Sequence, residues 1–176
     1  TVDPPVTKQD FVWQNSVMNN MGLFLENRYQ LNPGLLWIAG LRMDLTSYDA
    51  KDPAPDFVEQ YGGDITPDNM TNFSANTSLT WQAASGLEFQ WAVGRGIHTP
   101  ELHELYINHL SIGLDAYEYL GNPNLKPEIN YQTDLRADYR GESLALYANV
   151  FYAYLNDYIT AVVDTTLDRK FMPCKD

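Results

Sequence analysis

The sequence predicts an all-β fold, an antiparallel up-and-down meander of roughly six strands. Three observations point to it. Apolar and polar residues alternate with period two through several runs of about ten residues, the signature of a pleated strand with two unlike faces. Aromatic residues make up 13% of the chain, a bias toward strands. Short turns also alternate with long connections along the sequence.

Each element follows from its own pattern. From Met21 onward, Met21, Leu23, Leu25 and Tyr29 share one face and Gly22, Glu26, Arg28 and Gln30 the other. Phe24 and Asn27 break the rhythm. Leu31-Asn32-Pro33-Gly34 forms a tight turn, in which proline presets the corner. The chain returns from Leu35 to about Tyr48, with Leu35, Trp37, Ala39, Leu41, Met43 and Leu45 opposite Gly40, Arg42, Asp44 and Thr46. The connection Asp49 to Asp68 holds six carboxylates against Lys51, with Pro53, Pro55, Pro67 and Gly62-Gly63, and is expected to contain no regular element. Its charge would favour cationic over anionic ligands, although a solvated acidic loop is the simpler reading.

The cleanest alternation runs from Thr71 to Gln82, turns at Ala83-Ala84-Ser85-Gly86, and returns through Leu87, Phe89, Trp91 and Val93. Leu79, Trp81, Phe89 and Trp91 therefore share one face, and Asn76, Ser78, Glu88 and Gln90 the other. A second long connection spans Ile97 to Ile129. Tyr131, Thr133, Leu135, Ala137 and Tyr139 then alternate with polar neighbours, Arg140 to Ser143 turns, and a last strand is expected from Leu144 to about Val163. Thr1 to Asp10 and Thr165 to Asp176 carry no usable pattern. The start at Thr1 without a signal peptide reads as a mature or excised piece.

Strands of this length can cross a bilayer when tilted. Short turns at one end and long loops at the other are the asymmetry of a transmembrane barrel. Trp37, Trp81 and Tyr139 stand near strand ends, where an interfacial aromatic girdle would place them. The same alternation also suits a soluble antiparallel sandwich, the scaffold of a binding module whose Trp and Tyr would stack on a glycan, so pattern alone leaves both architectures open. No apolar run is long enough for a transmembrane helix.

Bulk chemistry narrows the function. A net charge of −12 argues against a nucleic-acid partner, whose binding depends on lysine and arginine replacing counterions. A single cysteine, Cys174, excludes a disulfide framework within the chain. No nucleophile elbow or defined carboxylate pair supports catalysis, and no cofactor is implied.

Two motifs sit at the ends of the second long connection. The first is Gly94-Arg95-Gly96-Ile97-His98-Thr99-Pro100, running into Glu101-Leu102-His103-Glu104-Leu105-Tyr106. The second is Gly121-Asn122-Pro123-Asn124-Leu125-Lys126-Pro127-Glu128. Together, in this order and spacing, they resemble the paired signature of TonB-dependent outer-membrane receptors. The signature positions are Gly94, Arg95, Gly96, Pro100, Glu104, Leu105, Tyr106, Gly121, Asn122, Pro123, Leu125, Pro127 and Glu128. Leu41-Arg42-Met43-Asp44 and Asn156-Asp157-Tyr158-Ile159 also resemble strand segments of the family, whereas His98 and Ile97 depart from its frequent arginine and phenylalanine.

The resemblance implies that residues 1–176 are part of a receptor barrel, a sector of roughly six strands with long extracellular loops, in the bacterial outer membrane. The plug domain of such receptors has no counterpart in the sequence. The implied activity is not enzymatic: the whole receptor binds a ferric siderophore, another metal complex or cobalamin, and imports it with energy from TonB. The implied partners are membrane lipid and lipopolysaccharide, TonB through parts outside this sequence, and a small metal-complex ligand.

Candidate ligand contacts lie in the second long connection: His98, His103, Tyr106, His109, Tyr117 and Tyr119, with Tyr61 from the first. A connection this long usually binds, covers or is disordered, and its aromatic content opposes disorder. The tyrosines could equally pack the loop on itself. Imidazoles with Glu101 and Glu104 invite a metal reading, but histidine steps of five and six residues do not stack on one helical face. Solvated loop residues are the simpler assignment, and no metal is specified. Gly94, Gly96 and Gly121 are expected to serve backbone geometry where strands meet loops.

Overall fold

The computed structural model describes residues 11–112, 114–167 and 170. Six antiparallel strands form a single sheet in sequence order: β1 (Asn15–Asn32), β2 (Leu35–Asp52), β3 (Met70–Ala84), β4 (Leu87–His98), β5 (Glu128–Arg140) and β6 (Ala145–Asn156). Two short helices lie in the long connections, α1 (Pro55–Gln60) and α2 (Leu102–Tyr106). Cys174, Thr1 to Asp10 and most of the carboxy-terminal tail lie outside the described residues.

Register carries the alternation across the whole sheet. Leu25 faces Leu41, Leu41 faces Ala75, Leu79 faces Trp91, Trp91 faces Leu135, and Leu135 faces Val150. The other face pairs Gly22 with Asp44, Gly40 with Asn76, Ser78 with Ala92, Gln90 with Arg136, and Arg136 with Asn149. Because side chains alternate strictly, one in-register ladder collects the odd positions of β1 to β5 and the even positions of β6 on an apolar face, and the alternate positions on a mainly polar face. Leu79, Trp81, Phe89 and Trp91 share the apolar face, as expected.

No second layer covers that apolar face among the described residues. Met21 is 74% exposed, Leu41 63%, Leu135 59% and Val150 70%. An apolar surface spread over a whole sheet is far larger than a water-soluble monomer leaves bare. Twelve residues, the length of β4, extend about 40 Å, and a tilt of about 45° projects this to roughly the hydrocarbon thickness of a bilayer. A bilayer is the cover these dimensions fit, and the described residues form a single sheet, not the two packed layers of a sandwich.

Within lipid, indole N–H groups need partners. Trp37 Nε1 donates to Thr77 Oγ1 at 2.7 Å, and that hydroxyl donates to the Ile38 carbonyl at 3.0 Å. Trp91 repeats the arrangement, donating to Thr133 Oγ1 at 3.0 Å, which donates to the Ala92 carbonyl at 3.1 Å. The polar face carries short-range ion pairs instead: Arg42 with Asp44 at 2.6 Å and Arg136 with Asp138 at 2.6 Å.

Several expected boundaries are corrected. β1 begins at Asn15 rather than Met21, since residues 15–20 pair with 46–52 although Asn19 and Asn20 blur their alternation. The acidic connection is not devoid of regular structure. β2 continues to Asp52, and Pro55 starts α1, because a fixed φ suits the first helical turn. β6 stops at Asn156, well short of Val163. There Asp157 takes φ 51°, and Ile159 N donates to Glu128 Oε2 at 3.0 Å, turning the chain out of the ladder.

The buried core lies between the two long connections. Phe57 of α1 and Leu105 and Tyr106 of α2 pack with Tyr48, Ala54 and Ile65, flanked by Met70, Leu102, Leu120 and Leu125. Tyr48 and Met70 stand on the polar side of the sheet, beside Thr46 and Met18 in the ladder, so this core caps the polar face at the end away from the short turns.

Candidate functional site

The loop assembly is built where the two sequence motifs meet. Glu101 caps α2, and the Glu104 carboxylate accepts from Glu101 N at 2.8 Å to close a capping box. His98 Nε2 lies 3.2 Å from both Glu104 oxygens, tying the end of β4 to this helix. The second motif docks on the first through its backbone. Gly121 N donates to the Ile107 carbonyl at 2.7 Å, Asn122 N donates to the Glu104 carbonyl at 2.8 Å, and Tyr61 Oη donates to the Gly121 carbonyl at 2.5 Å.

A side chain at Gly121 would place its Cβ 2.6 Å from the Leu105 carbonyl carbon and 2.6 Å from Tyr106 N. Only glycine permits that approach. The other two signature glycines differ: a Cβ at Gly94 makes ordinary contacts at 3.5 Å, and one at Gly96 meets nothing within 4 Å. Both lie in β4 on the polar face, opposite Asn76 and Asn130, rather than at a special backbone turn.

The remaining signature residues fasten the assembly to the strands. Tyr48 Oη donates to the Pro100 carbonyl at 2.7 Å, and Asn72 Nδ2 donates to Thr99 Oγ1 at 2.9 Å. Arg95 lies on the apolar face, donating to the Phe73 carbonyl and, at 3.3 Å, to Tyr131 Oη. Pro123 is buried and Leu125 packs against the core. Asn122 and Pro127 flank this contact, and Glu128 opens β5 opposite His98.

The histidines do not converge. His98 pairs with Glu104, His103 Nδ1 lies 3.3 Å from Glu101, and His109 Nδ1 lies 2.9 Å from the nearly buried Glu118. Among the described residues no three His, Cys, Asp or Glu side chains form a metal-ligand group. Tyr119 Oη donates to Asp115 at 2.8 Å within a small hairpin bridged at Leu110 and Tyr119, while Tyr117 is exposed. Tyr106 is 2% exposed and belongs to the core. Tyr61, half-buried, bridges the two connections.

His103 and Tyr106 do share one feature, a cleft of about 560 Å³ between α2 and the start of β1. Its other walls are Trp13, Gln14, Glu101 and Leu102, and its floor is Ser16, Met18 and Asn20 from the polar face of β1. Trp13 bridges to Ile107, and Gln14 Oε1 accepts from Ala54 N at 2.7 Å, so the chain before β1 is strapped across both connections. Sequence reasoning missed Trp13 and Gln14, which carry no motif and lie far from Tyr106 in the chain.

Comparison with known families decides what this assembly is. The family model described as "TonB dependent receptor-like, beta-barrel" matches residues 2–169. The chain belongs to that family. Among solved structures, a chain named "Copper transporter OprC" superposes with a TM-score of 0.63 at 21% identity, covering 81% of this chain and 22% of that one. At that identity the likeness concerns the fold, and this chain spans about a fifth of the transporter's length. No match is found among curated proteins. Members of the TonB-dependent receptor family are bacterial outer-membrane proteins and not enzymes, which assigns the lipid at the apolar face to that membrane.

Proposed function

We propose that residues 1–176 serve as part of a larger TonB-dependent receptor barrel that imports a scarce nutrient: a ferric siderophore, another metal complex or cobalamin. The observation that carries this reading is the pairing of a lipid-facing sheet with two long connections folded into one cap over its polar side. β1 and β6 each offer an outer edge for further strands, as a barrel sector requires. The cap and the polar face then belong to the lumen and its extracellular mouth, with His98, His103, Tyr106, His109, Tyr117 and Tyr119 grouped there.

TonB would supply the energy through other parts of the receptor, and lipid and lipopolysaccharide would surround the apolar face. The acidic first connection favours a cationic or neutral ligand, since Asp52, Glu59 and Asp64 add negative potential at the mouth. The test is uptake by cells expressing the full-length receptor, using labelled ferric siderophores, a copper complex and cobalamin. TonB-dependent accumulation of one of them is expected. Failure to accumulate any, with the receptor folded in the outer membrane, would remove the import reading.

A further inference from the structure

Arg95 stands where a charge costs most to keep. Among the described residues it is the one charged side chain on the apolar face from β3 to β6. The nearest strand carboxylates, Glu88, Asp134 and Asp138, occupy polar-face positions. Arg95 lies close to the loop end of β4. From Leu87 to Arg95 the strand extends about 26 Å, or about 19 Å along the membrane normal at a tilt of about 45°, against an apolar band of about 25 Å in such barrels. The guanidinium reaches further still. It donates to the carbonyl of Phe73, which is nearer the loop end than Ala75, the residue directly opposite Arg95 on β3. The charge is thus held at the upper edge of the hydrocarbon, within reach of headgroups.

Donors outnumber acceptors at this point. Of five guanidinium N–H groups, one on Nη1 meets the Phe73 carbonyl and that on Nε meets Tyr131 Oη at 3.3 Å, leaving three without a partner among the described residues. Because Tyr131 Oη accepts from Arg95, its own proton is left to donate, and no acceptor meets it among the described residues. The guanidinium carbon lies 5.8 Å from the Tyr131 ring centroid, so ring and charge hold each other in place. Phe73, Tyr131 and Tyr154 are exposed around it, with Tyr154 directly opposite Tyr131. A positive fork beside an O–H donor, facing acyl chains rather than water, selects an anion carried by a lipid. Parallel N–H groups fit the oxygens of a phosphate.

We propose that Arg95 and Tyr131 form a binding site for the phosphate of a membrane lipid, in the outer leaflet the phosphate of lipopolysaccharide. The inference rests on the reading above that turns the long connections outward, and it gives that lipid a fixed seat on β4 and β5.

The experiment titrates the full-length receptor in detergent with bisphosphorylated lipid A, with the same lipid stripped of phosphate, and with inorganic phosphate as competitor. Native mass spectrometry counts the bound lipid. The phosphorylated lipid is expected to bind at least about tenfold more tightly than the stripped one, with no displacement by an equal concentration of inorganic phosphate. Arg95→Gln should abolish that preference, and Arg95→Lys, which keeps the charge without the fork, should retain part of it. Tyr131→Phe keeps the ring and should weaken the phosphorylated lipid alone, about threefold to fivefold. Comparing the two lipids on the wild-type receptor needs no variant, so the proposal stays testable even where Arg95→Gln does not fold. Equal binding of both lipids by the wild type, or an undiminished preference in Tyr131→Phe and Arg95→Gln, overturns the proposal. Displacement by inorganic phosphate overturns the lipid assignment in favour of a free-anion site. Nutrient uptake is read separately: accumulation without phosphate selectivity sinks this site and leaves the import reading standing, and selectivity without accumulation does the reverse.

Discussion

Replacing Gly121 by alanine tests the joint between the two motifs. The new Cβ would stand 2.6 Å from the Leu105 carbonyl carbon, 2.6 Å from Tyr106 N and 2.7 Å from the Leu105 oxygen, all backbone atoms. No rotamer change relieves contacts of that kind. The second motif must retreat by about 0.8 Å to reach ordinary van der Waals distance, which stretches the 2.7 Å bond to Ile107, the 2.8 Å bond from Asn122 and the 2.5 Å bond from Tyr61. Losing two of three such bonds costs about 1–3 kcal/mol, and the overpacking about as much again, so the cap should lose about 2–5 kcal/mol.

Hydrogen exchange resolved by peptide is the assay. Residues 102–108 and 119–125 should lose protection by about 30-fold or more, while β2 to β5 keep theirs because the strand ladder is untouched. Gly96→Ala is the internal control, since its Cβ meets nothing. If Gly121→Ala leaves the cap protected to within about 0.5 kcal/mol, the close approach is not what holds the motifs together.

Three further outcomes follow from the same geometry. Leu135→Lys, on the lipid face, should destabilise the receptor by about 2–4 kcal/mol in liposome refolding titrations if it lies near the midplane, whereas Gln132→Lys on the polar face should cost less than about 1 kcal/mol. Thr133→Val should cost about 1–2 kcal/mol in the same titrations, because it strands the Trp91 indole N–H in lipid, and Trp91→Phe should recover part of that loss. Tyr106 has its folded phenol raised to about 12 by burial, then by Asp49 and Asp64. Its contribution to cap stability is therefore full below pH 10, the ordinary phenol value, and is lost as pH rises toward 12. Tyrosinate absorbance should rise with cap opening in that window, and Tyr106→Phe should open less steeply with pH.

The strands were legible because a two-residue period repeats often enough to outweigh local exceptions. Thr71 to Gln82 and Leu87 to Val93 fixed which side chains share a face, and register did the rest. The ends were not legible where the signal is flat. Residues of β6 are apolar on both faces, with Tyr147, Phe151 and Leu155 on the side that is polar elsewhere, so no polarity change marks its stop. That stop comes from the backbone at Asp157 and a bond from Ile159 to Glu128.

Short helices escape periodicity altogether: α1 has six residues and one buried anchor, Phe57, inside an acidic run whose prolines read as breakers. The candidate site was half legible. Tyr106 and His103 stood inside a recognisable motif, but Trp13 and Gln14 reach them only through tertiary folding across β1. Three histidines close in sequence invited a metal reading that their five- and six-residue steps already opposed, and each is held by a different glutamate.

The shared core of the two long connections also constrains how this surface can diverge. Phe57 and Leu105 come from different connections and fill one space, so a change of volume at either must be answered at the other. Loops that pack separately can be exchanged one at a time between relatives; these must travel as a pair, together with the strap at Gln14. Among the described residues, freedom remains at the rim. Gly62 and Gly63 take φ 79° and 121° with nothing within 4 Å of where a Cβ would stand, and the exposed tip around Leu114 touches no core. Insertions that alter recognition while preserving the cap are expected at those two points, and a graft of the second connection alone should arrive unfolded on a foreign barrel.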